Sequence, residues 1–222
     1  MLLFGKYFSL TKSVLRGMSQ NSAASKMALQ ALRDSAKRIV WVDLEMTGLD
    51  IDKDHILEIA CLVTDADLNV VATGPNLVIH QPDSILDNMN SWCVAQHGES
   101  GLTEASRKSP ISITEAEKKV MEFVTSHVPE KKCPLGGNSV YMDRLFLRKY
   151  MPNLDSYLHY RIIDVSTIKE LARRWFQKEY SSIPKKKFQH RSVDDILESI
   201  EELKYYRNNI FKVEDKDVNN ES

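Results

Sequence analysis

The sequence predicts an α/β fold in which a mixed sheet is covered by helices. Three observations predict it. Apolar runs rich in β-branched residues fill positions 38–80, amphipathic helical patterns dominate from position 84 onward, and two short apolar runs interrupt those helices.

RIVWVDLEM (38–46) is a short apolar run that reads as a buried strand. HILEIACLVTD (55–65) and LNVVATGPNLVIH (68–80) read as two more, with Gly74-Pro75 breaking the last. Short turns between the three predict an antiparallel meander. Residues 84–108 read as short helices, and Ser112 to His127 as an amphipathic helix with Val120, Phe123 and Val124 on its apolar face. CPLGGNS (133–139) reads as a small strand ending in a Gly-Gly turn. Tyr141 to Tyr150 reads as a helix, YRIIDV (160–165) as a strand, and Ser166 to Phe176 as a helix. The last element, SVDDILESIEELKYYRNNI (192–210), is a long helix with Ile196, Ile200, Leu203 and Ile210 along one stripe.

The chain has 222 residues, the size of one domain with tails. A chain this long buries roughly 70% of its unfolded surface and needs no staple. No run of 18 apolar residues occurs, which excludes an apolar membrane-spanning helix. The three cysteines, Cys61, Cys93 and Cys133, are far apart and form no CxxC pair. A disulfide framework or zinc knuckle is therefore not expected, and a reducing compartment is.

Net charge is -1, but it is unevenly spread. Residues 1–33 hold five basic residues and no acid, and the rest carries 25 basic against 31 acidic residues. That leader is basic, Ser-rich and interspersed with Leu and Phe, the composition of a mitochondrial transit peptide. Met18 and Met27 offer internal starts that would give a cytoplasmic form. The final residues 213–222 are polar and acidic and read as a disordered tail. The remaining domain, 34–212, is too acidic to carry a broad phosphate-gripping face. A polyanionic substrate should then be short, or its charge should be met by metal ions.

Three places carry candidate chemistry. Asp43 and Glu45, two apart on the first strand, project from the same face. Two like charges held together are costly, and a hard divalent cation resolves that cost, although solvation at a strand end would too. Asp143 falls near the start of a helix, where a carboxylate also gains from the dipole. His190 precedes the long helix, and Asp194 and Asp195 occupy its first turn. At ~100° per residue, Asp195 flanks the apolar stripe centred on Ile196, whereas Asp194 points away from it. Asp195 is thus the acid expected to reach an interior site. An imidazole ahead of it can take a proton at neutral pH. Lys185-Lys186-Lys187 is either a basic loop that attracts RNA or a solvated surface run.

Asp43-x-Glu45, Asp143, then His190 five before Asp195, resemble in order the motifs of DEDDh 3′→5′ exonucleases. More narrowly, VWVDLEMTGLD, GPNLVIHQP, SWCVAQHGESGLT, GNSVYMDRLFL, HYRIIDVSTIKEL and HRSVDDILESI resemble segments of the oligoribonuclease family, over roughly residues 38 to 212. Ser192-Val193 departs from that family's usual Ala-Leu at positions that bear no ligand.

The resemblance implies a ribonuclease H-like fold with a mixed five-stranded sheet. It implies two divalent cations, Mg2+ or Mn2+, held by Asp43, Glu45, Asp143 and Asp195, with His190 as general base. The products would be nucleoside 5′-monophosphates released from short RNA. Leu49 and Trp92 match residues that wedge and stack on bases, although Trp92 taken alone reads better as a core aromatic. Tyr160 matches a residue inserted from a second subunit, which implies a homodimer. Ser139, His97, Arg161 and Ser166 match positions around the substrate's 5′ phosphate or the dimer interface. Two other readings stand beside this one: an exonuclease of DNA or longer RNA ends, and a non-catalytic binding protein on a nuclease fold.

Overall fold

The computed structural model describes residues 23–184 and 192–212. The sheet has five strands: β1 (Ile39–Met46), β2 (Ile56–Thr64), β3 (Val70–Val78), β4 (Leu135–Gly137) and β5 (Ile162–Asp164), in the order β3-β2-β1-β4-β5. The meander β1-β2-β3 is antiparallel, and β4 and β5 join it in parallel on the other side of β1. The mixed α/β sheet is as expected from the sequence.

Ten helices surround it among the described residues: α1 (Ala23–Ser35), α2 (Asp83–Leu86), α3 (Ser91–Glu99), α4 (Leu102–Lys108), α5 (Ile113–His127), α6 (Tyr141–Tyr150), α7 (Pro152–Tyr157), α8 (Val165–Trp175), α9 (Gln177–Ser181) and α10 (Ser192–Asn209). None is long and apolar enough to cross a membrane.

The central strand sorts its side chains by parity. Val40, Val42 and Leu44 enter one core, with Val120 and Val124 of α5 and Phe146 and Leu147 of α6. Ile39 and Trp41 enter the other, with Val165 and Ala172 of α8 and Ile196, Ile200, Leu203 and Tyr206 of α10. Asp43 and Glu45 continue the odd-numbered series, so β1 directs both acids to the face that α10 covers. Full burial of each aliphatic side chain contributes about 1.5–3 kcal/mol, which fixes α10 on that face. The buried Trp41 indole is satisfied by Thr64 Oγ1 at 2.9 Å.

Two local expectations change. Gly74-Pro75 does not break β3. The strand runs through it, and the pairing steps from Ala60↔Asn76 to Leu62↔Thr73, so two residues oppose Cys61 in a bulge. A Cβ at Gly74 would sit 2.6 Å from Cys61 Sγ and from the Phe123 ring, so only glycine fits there. Proline is tolerated because β3 is an edge strand. Gly136 and Gly137 are not a turn either. They end β4 inside the sheet, where a Cβ at Gly137 would lie 3.0 Å from the Val42 carbonyl oxygen. The turn falls at Asn138-Ser139, and Ser139 adopts φ 50.

The helix α7, unassigned in the sequence, is nucleated by Pro152 in its first turn and capped from a distance. Glu117 on α5 accepts from the backbone N–H groups of Asn153 and Leu154, at 2.7 and 3.2 Å. Helix α1 begins within the stretch assigned to the leader and ends past its boundary at residue 33. The rest of the leader, residues 1–22, and the tail 213–222 lie outside the described residues, as do His190 and the lysine run 185–187.

Candidate functional site

The acids converge at the end of β1. Asp43, Glu45 and Asp195 each offer a carboxylate oxygen, and these atoms lie within 4.8 Å of one another. All three are half-buried. Asp195 arrives from the first turn of α10, which its stripe of Ile196, Ile200 and Leu203 docks against Trp41 and Leu62. Asp194 is exposed, as its place on the helical wheel predicts.

Glu45 has a hostile environment for a charge. Burial, then the carboxylates of Asp43, Glu58 and Asp195, push its pKa up from 4.5 to about 8. Glu58 sits directly opposite Glu45 across the β1-β2 pair, a like-charge cross-strand match that costs stability. A divalent cation removes this repulsion, and three carboxylates form the hard oxygen donor set that such an ion takes. The cluster therefore fits a divalent cation.

Asp143 stands apart from the triad. It is buried at the start of α6, and its Oδ1 accepts from the Leu44 N–H at 2.9 Å, between the two acids of β1. Its pKa is raised well above the carboxylate range, by burial first and by Asp43 second, against the lowering effect of the Leu44 hydrogen bond. Next to it, the Arg144 guanidinium ion-pairs with Asp155 and donates to the carbonyls of Asp155 and His159, each at 3.0 Å. One turn of α6 thus holds the acid, α7 and the segment leading to Tyr160.

A second set of side chains joins the turn after β4 to α10. Asn138 Nδ2 donates to Ser199 Oγ, and Ser199 Oγ donates to the Asp195 carbonyl at 2.7 Å. Ser166 Oγ donates to Asn138 Oδ1 at 3.2 Å. The Ser139 N–H lies 2.9 Å from both Asp164 Oδ1 and Ser166 Oγ. Asp164 also caps α8 by accepting from the Ser166 N–H. These contacts hold Ser139 in its left-handed conformation, which is costly for a non-glycine residue.

The remaining sequence-predicted residues divide. Ser139 and Ser166 meet, with their hydroxyl oxygens 3.1 Å apart. His97 is only 2% exposed, and its Nε2 lies 2.9 Å from the Met46 carbonyl oxygen. It ties α3 to the strand that carries the acids. Leu49, Trp92 and Tyr160 are 67%, 65% and 73% exposed, so the core reading of Trp92 falls. Arg161 is exposed and its guanidinium lies 5.2 Å from the centre of the Tyr160 ring. Sequence reasoning missed the structural parts played by Asn138, Ser199, Asp164 and Glu58. Only Ser199 left a trace, at four residues from Asp195 on one helix.

Comparison with known proteins agrees with this geometry. The exonuclease family described as RNase_T matches residues 40–203. The mitochondrial oligoribonucleases of Mus musculus and Homo sapiens are each 56% identical over 197 residues, covering 89% of this chain and 81% of theirs. An oligoribonuclease of Bordetella pertussis is 53% identical over 176 residues, covering 79% of this chain and 97% of its own. Among solved structures, E. coli exonuclease I in complex with a dA16 oligonucleotide superposes with a TM-score of 0.61 at 14% identity. The match covers 78% of this chain and 41% of that one, and the likeness is one of fold.

Proposed function

The chain belongs to the oligoribonuclease family of exonucleases, and on that premise we propose that it removes nucleotides 3′→5′ from RNAs of two to a few residues. It is a hydrolase of phosphodiester bonds. The observation that carries the reading is the convergence of Asp43, Glu45 and Asp195 within 4.8 Å at the end of β1.

In this reading Asp43, Glu45 and Asp195 hold divalent cations, two in number and Mg2+ or Mn2+ in kind, with Asp143 in support. Bound there, such ions supply Lewis-acid stabilisation of the charge that develops on the phosphodiester oxygens. The chain's own groups do the rest. His190 takes the proton of the attacking water as general base. Asp143 holds the β1 backbone at Leu44 and so fixes the angle between the two acids beside it. Ser139 and Ser166, already joined, offer hydroxyls to the substrate's 5′ phosphate, and Arg161 offers a charged fork. Trp92 and Leu49 take the bases between an aromatic face and an aliphatic wedge. Exposed in the free chain, both are available for that contact. A capped pocket of this kind suits the domain's net acidity, because a short substrate needs no extended basic track.

The exposed aromatics Tyr160 and Trp175 support a homodimer in which Tyr160 completes the partner's site. Mixing Tyr160→Ala subunits with Asp43→Ala subunits should then restore activity that neither variant has. The basic, acid-free leader and the mitochondrial relatives support import into mitochondria, with internal starts at Met18 or Met27 giving a cytoplasmic form.

The test is hydrolysis of 5′-labelled RNAs of two, three, five and ten nucleotides, with magnesium and with chelator. Fast magnesium-dependent cleavage of the dinucleotide that fades with length is the expected result. Equal cleavage of the ten-mer would remove the cap and leave a general exonuclease.

A further inference from the structure

The connection between β1 and β2, residues 47–55, is built around one carboxylate. Asp54 Oδ1 accepts from Thr47 Oγ1 at 2.8 Å, and its Oδ2 accepts from the Asp50 N–H at 2.9 Å. Thr47 Oγ1 in turn accepts from the His55 N–H at 3.0 Å. The backbone closes the same loop: Thr47 N–H donates to the His55 carbonyl at 3.0 Å, and Asp54 N–H to the Asp50 carbonyl at 2.7 Å. Gly48 is part of the construction. A Cβ there would lie 2.3 Å from Asp54 Oδ2, so a side chain at 48 and the carboxylate at 54 exclude each other.

The loop is also held from outside. Lys149 Nζ donates to the carbonyls of Ile51 and Asp52, and the Tyr150 hydroxyl donates to the carbonyl of Asp54 at 2.6 Å. Both residues belong to α6, the helix that carries Asp143. What this bracing presents is Leu49, two-thirds exposed, with Asp54 fixing the backbone on either side of it. An apolar side chain with little burial of its own, on a backbone this heavily bonded, is arranged for an outside contact. Its ordering is complete before anything binds.

We propose that Asp54 is a positioning residue for substrate selection: it locks the loop that presents Leu49 to the terminal base of a short RNA. The inference rests on the reading of Leu49 as a base contact given above. It adds that the wedge works through a carboxylate that touches neither cation nor substrate. It also gives Gly48 its reason, as the only residue that leaves space for that carboxylate.

The experiment measures kcat and KM on the dinucleotide for the wild type, Asp54→Ala, Asp54→Asn, Gly48→Ala, Leu49→Ala and the double variant Asp54→Ala/Leu49→Ala. Thermal melting of each accompanies the kinetics. Asp54→Ala and Gly48→Ala should raise KM about tenfold, the scale of a lost apolar contact. Their kcat should stay within about twofold, because the interaction lost is one of uniform binding. Asp54→Asn replaces one of two acceptors by a donor and should fall between. In the double variant Asp54→Ala should add nothing to the loss from Leu49→Ala, since the two act as one unit. Losses that multiply, or a KM unchanged in both Asp54→Ala and Gly48→Ala, would overturn the proposal and leave Asp54 a purely structural residue. Should Asp54→Ala fail to fold, Asp54→Asn and Gly48→Ala carry the same readout. A wild type that prefers the ten-mer would sink the short-RNA reading instead. The coupling of positions 54 and 49 is then measured on the ten-mer and stands or falls by the same criterion.

Discussion

Asn138 donates to Ser199 Oγ at 2.5 Å, and the same hydroxyl donates to the carbonyl of Asp195 at 2.7 Å. A turn at the end of β4 is thereby bonded to the helical turn that delivers an acid to the site. The pair joins the two halves of the centre, the hydroxyls of Ser139 and Ser166 on one side and the carboxylate triad on the other.

Removing that link should loosen the triad without unfolding the chain. Ser199→Ala loses hydrogen bonds worth about 1 kcal/mol each in net stability. Asn138→Ala also breaks two bonds, to Ser199 and from Ser166, but it leaves Ser199 its Asp195 contact and should disturb the triad less. The expected result for Ser199→Ala is a fall in kcat of about tenfold and a weaker apparent affinity for Mn2+, read by titrating activity against metal. A normal metal titration in both variants would contradict the link.

The two adjacent aspartates of α10 should behave oppositely. Asp195→Ala removes one corner of the triad, and turnover should fall by about 10³-fold or more, because cation-supplied stabilisation is worth several kcal/mol. Its melting temperature should not drop. Asp194→Ala changes an exposed residue and should leave kcat within about threefold. Equal losses from both would refute the assignment of helix faces.

The metal-free protein should lose stability as pH rises. Glu45 is held at about 8 in the fold, against 4.5 as its ordinary value, so between these limits the folded chain binds more protons than the unfolded one. Stability then declines through that window. Below it both states are protonated and above it neither is, so the slope disappears. Asp143, raised by burial and by Asp43, acts in the same direction. In chelator, the difference in melting temperature between wild type and Glu45→Gln should widen from about pH 5 to about pH 8. Magnesium should raise the wild-type melt more at the upper pH. A difference independent of pH would show that Glu45 ionises normally.

Trp92→Ala should separate binding from folding. The ring is largely exposed, so the melting temperature should hardly move. Stacking on a base is worth ~1–3 kcal/mol, so kcat/KM on the dinucleotide should fall roughly 5- to 150-fold. An unchanged kcat/KM would remove Trp92 from the pocket.

Much of the centre was legible because it is local. Asp43 and Glu45 share a face by strand parity, and Asp195 was separated from Asp194 by one step of the helical wheel. Both are properties of a few consecutive residues. The first three strands were legible for the same reason, as β-branched apolar runs. What the sequence did not show depends on pairs far apart in the chain. Glu117 caps α7 from 36 residues away. Asn138 finds Ser199 across 61. The bulge at Gly74-Pro75 reads as a break until Cys61 and Phe123 are seen to need the space. Gly136-Gly137 reads as a turn until β4 is seen lying close against β1.

The parity of β1 makes the strand behave like a reading frame. Trp41 belongs to the α10 side because of its place in an alternation, and Asp43 and Glu45 inherit that side from the same count. Loss of one residue upstream of Asp43 would leave two bad choices. Either the apolar residues keep their cores and the acids turn toward α5 and α6, or the acids keep α10 and Trp41 is expelled. Length changes should therefore be rejected between Ile39 and Glu45, because the bulge that could absorb one falls only between Glu45 and Met46.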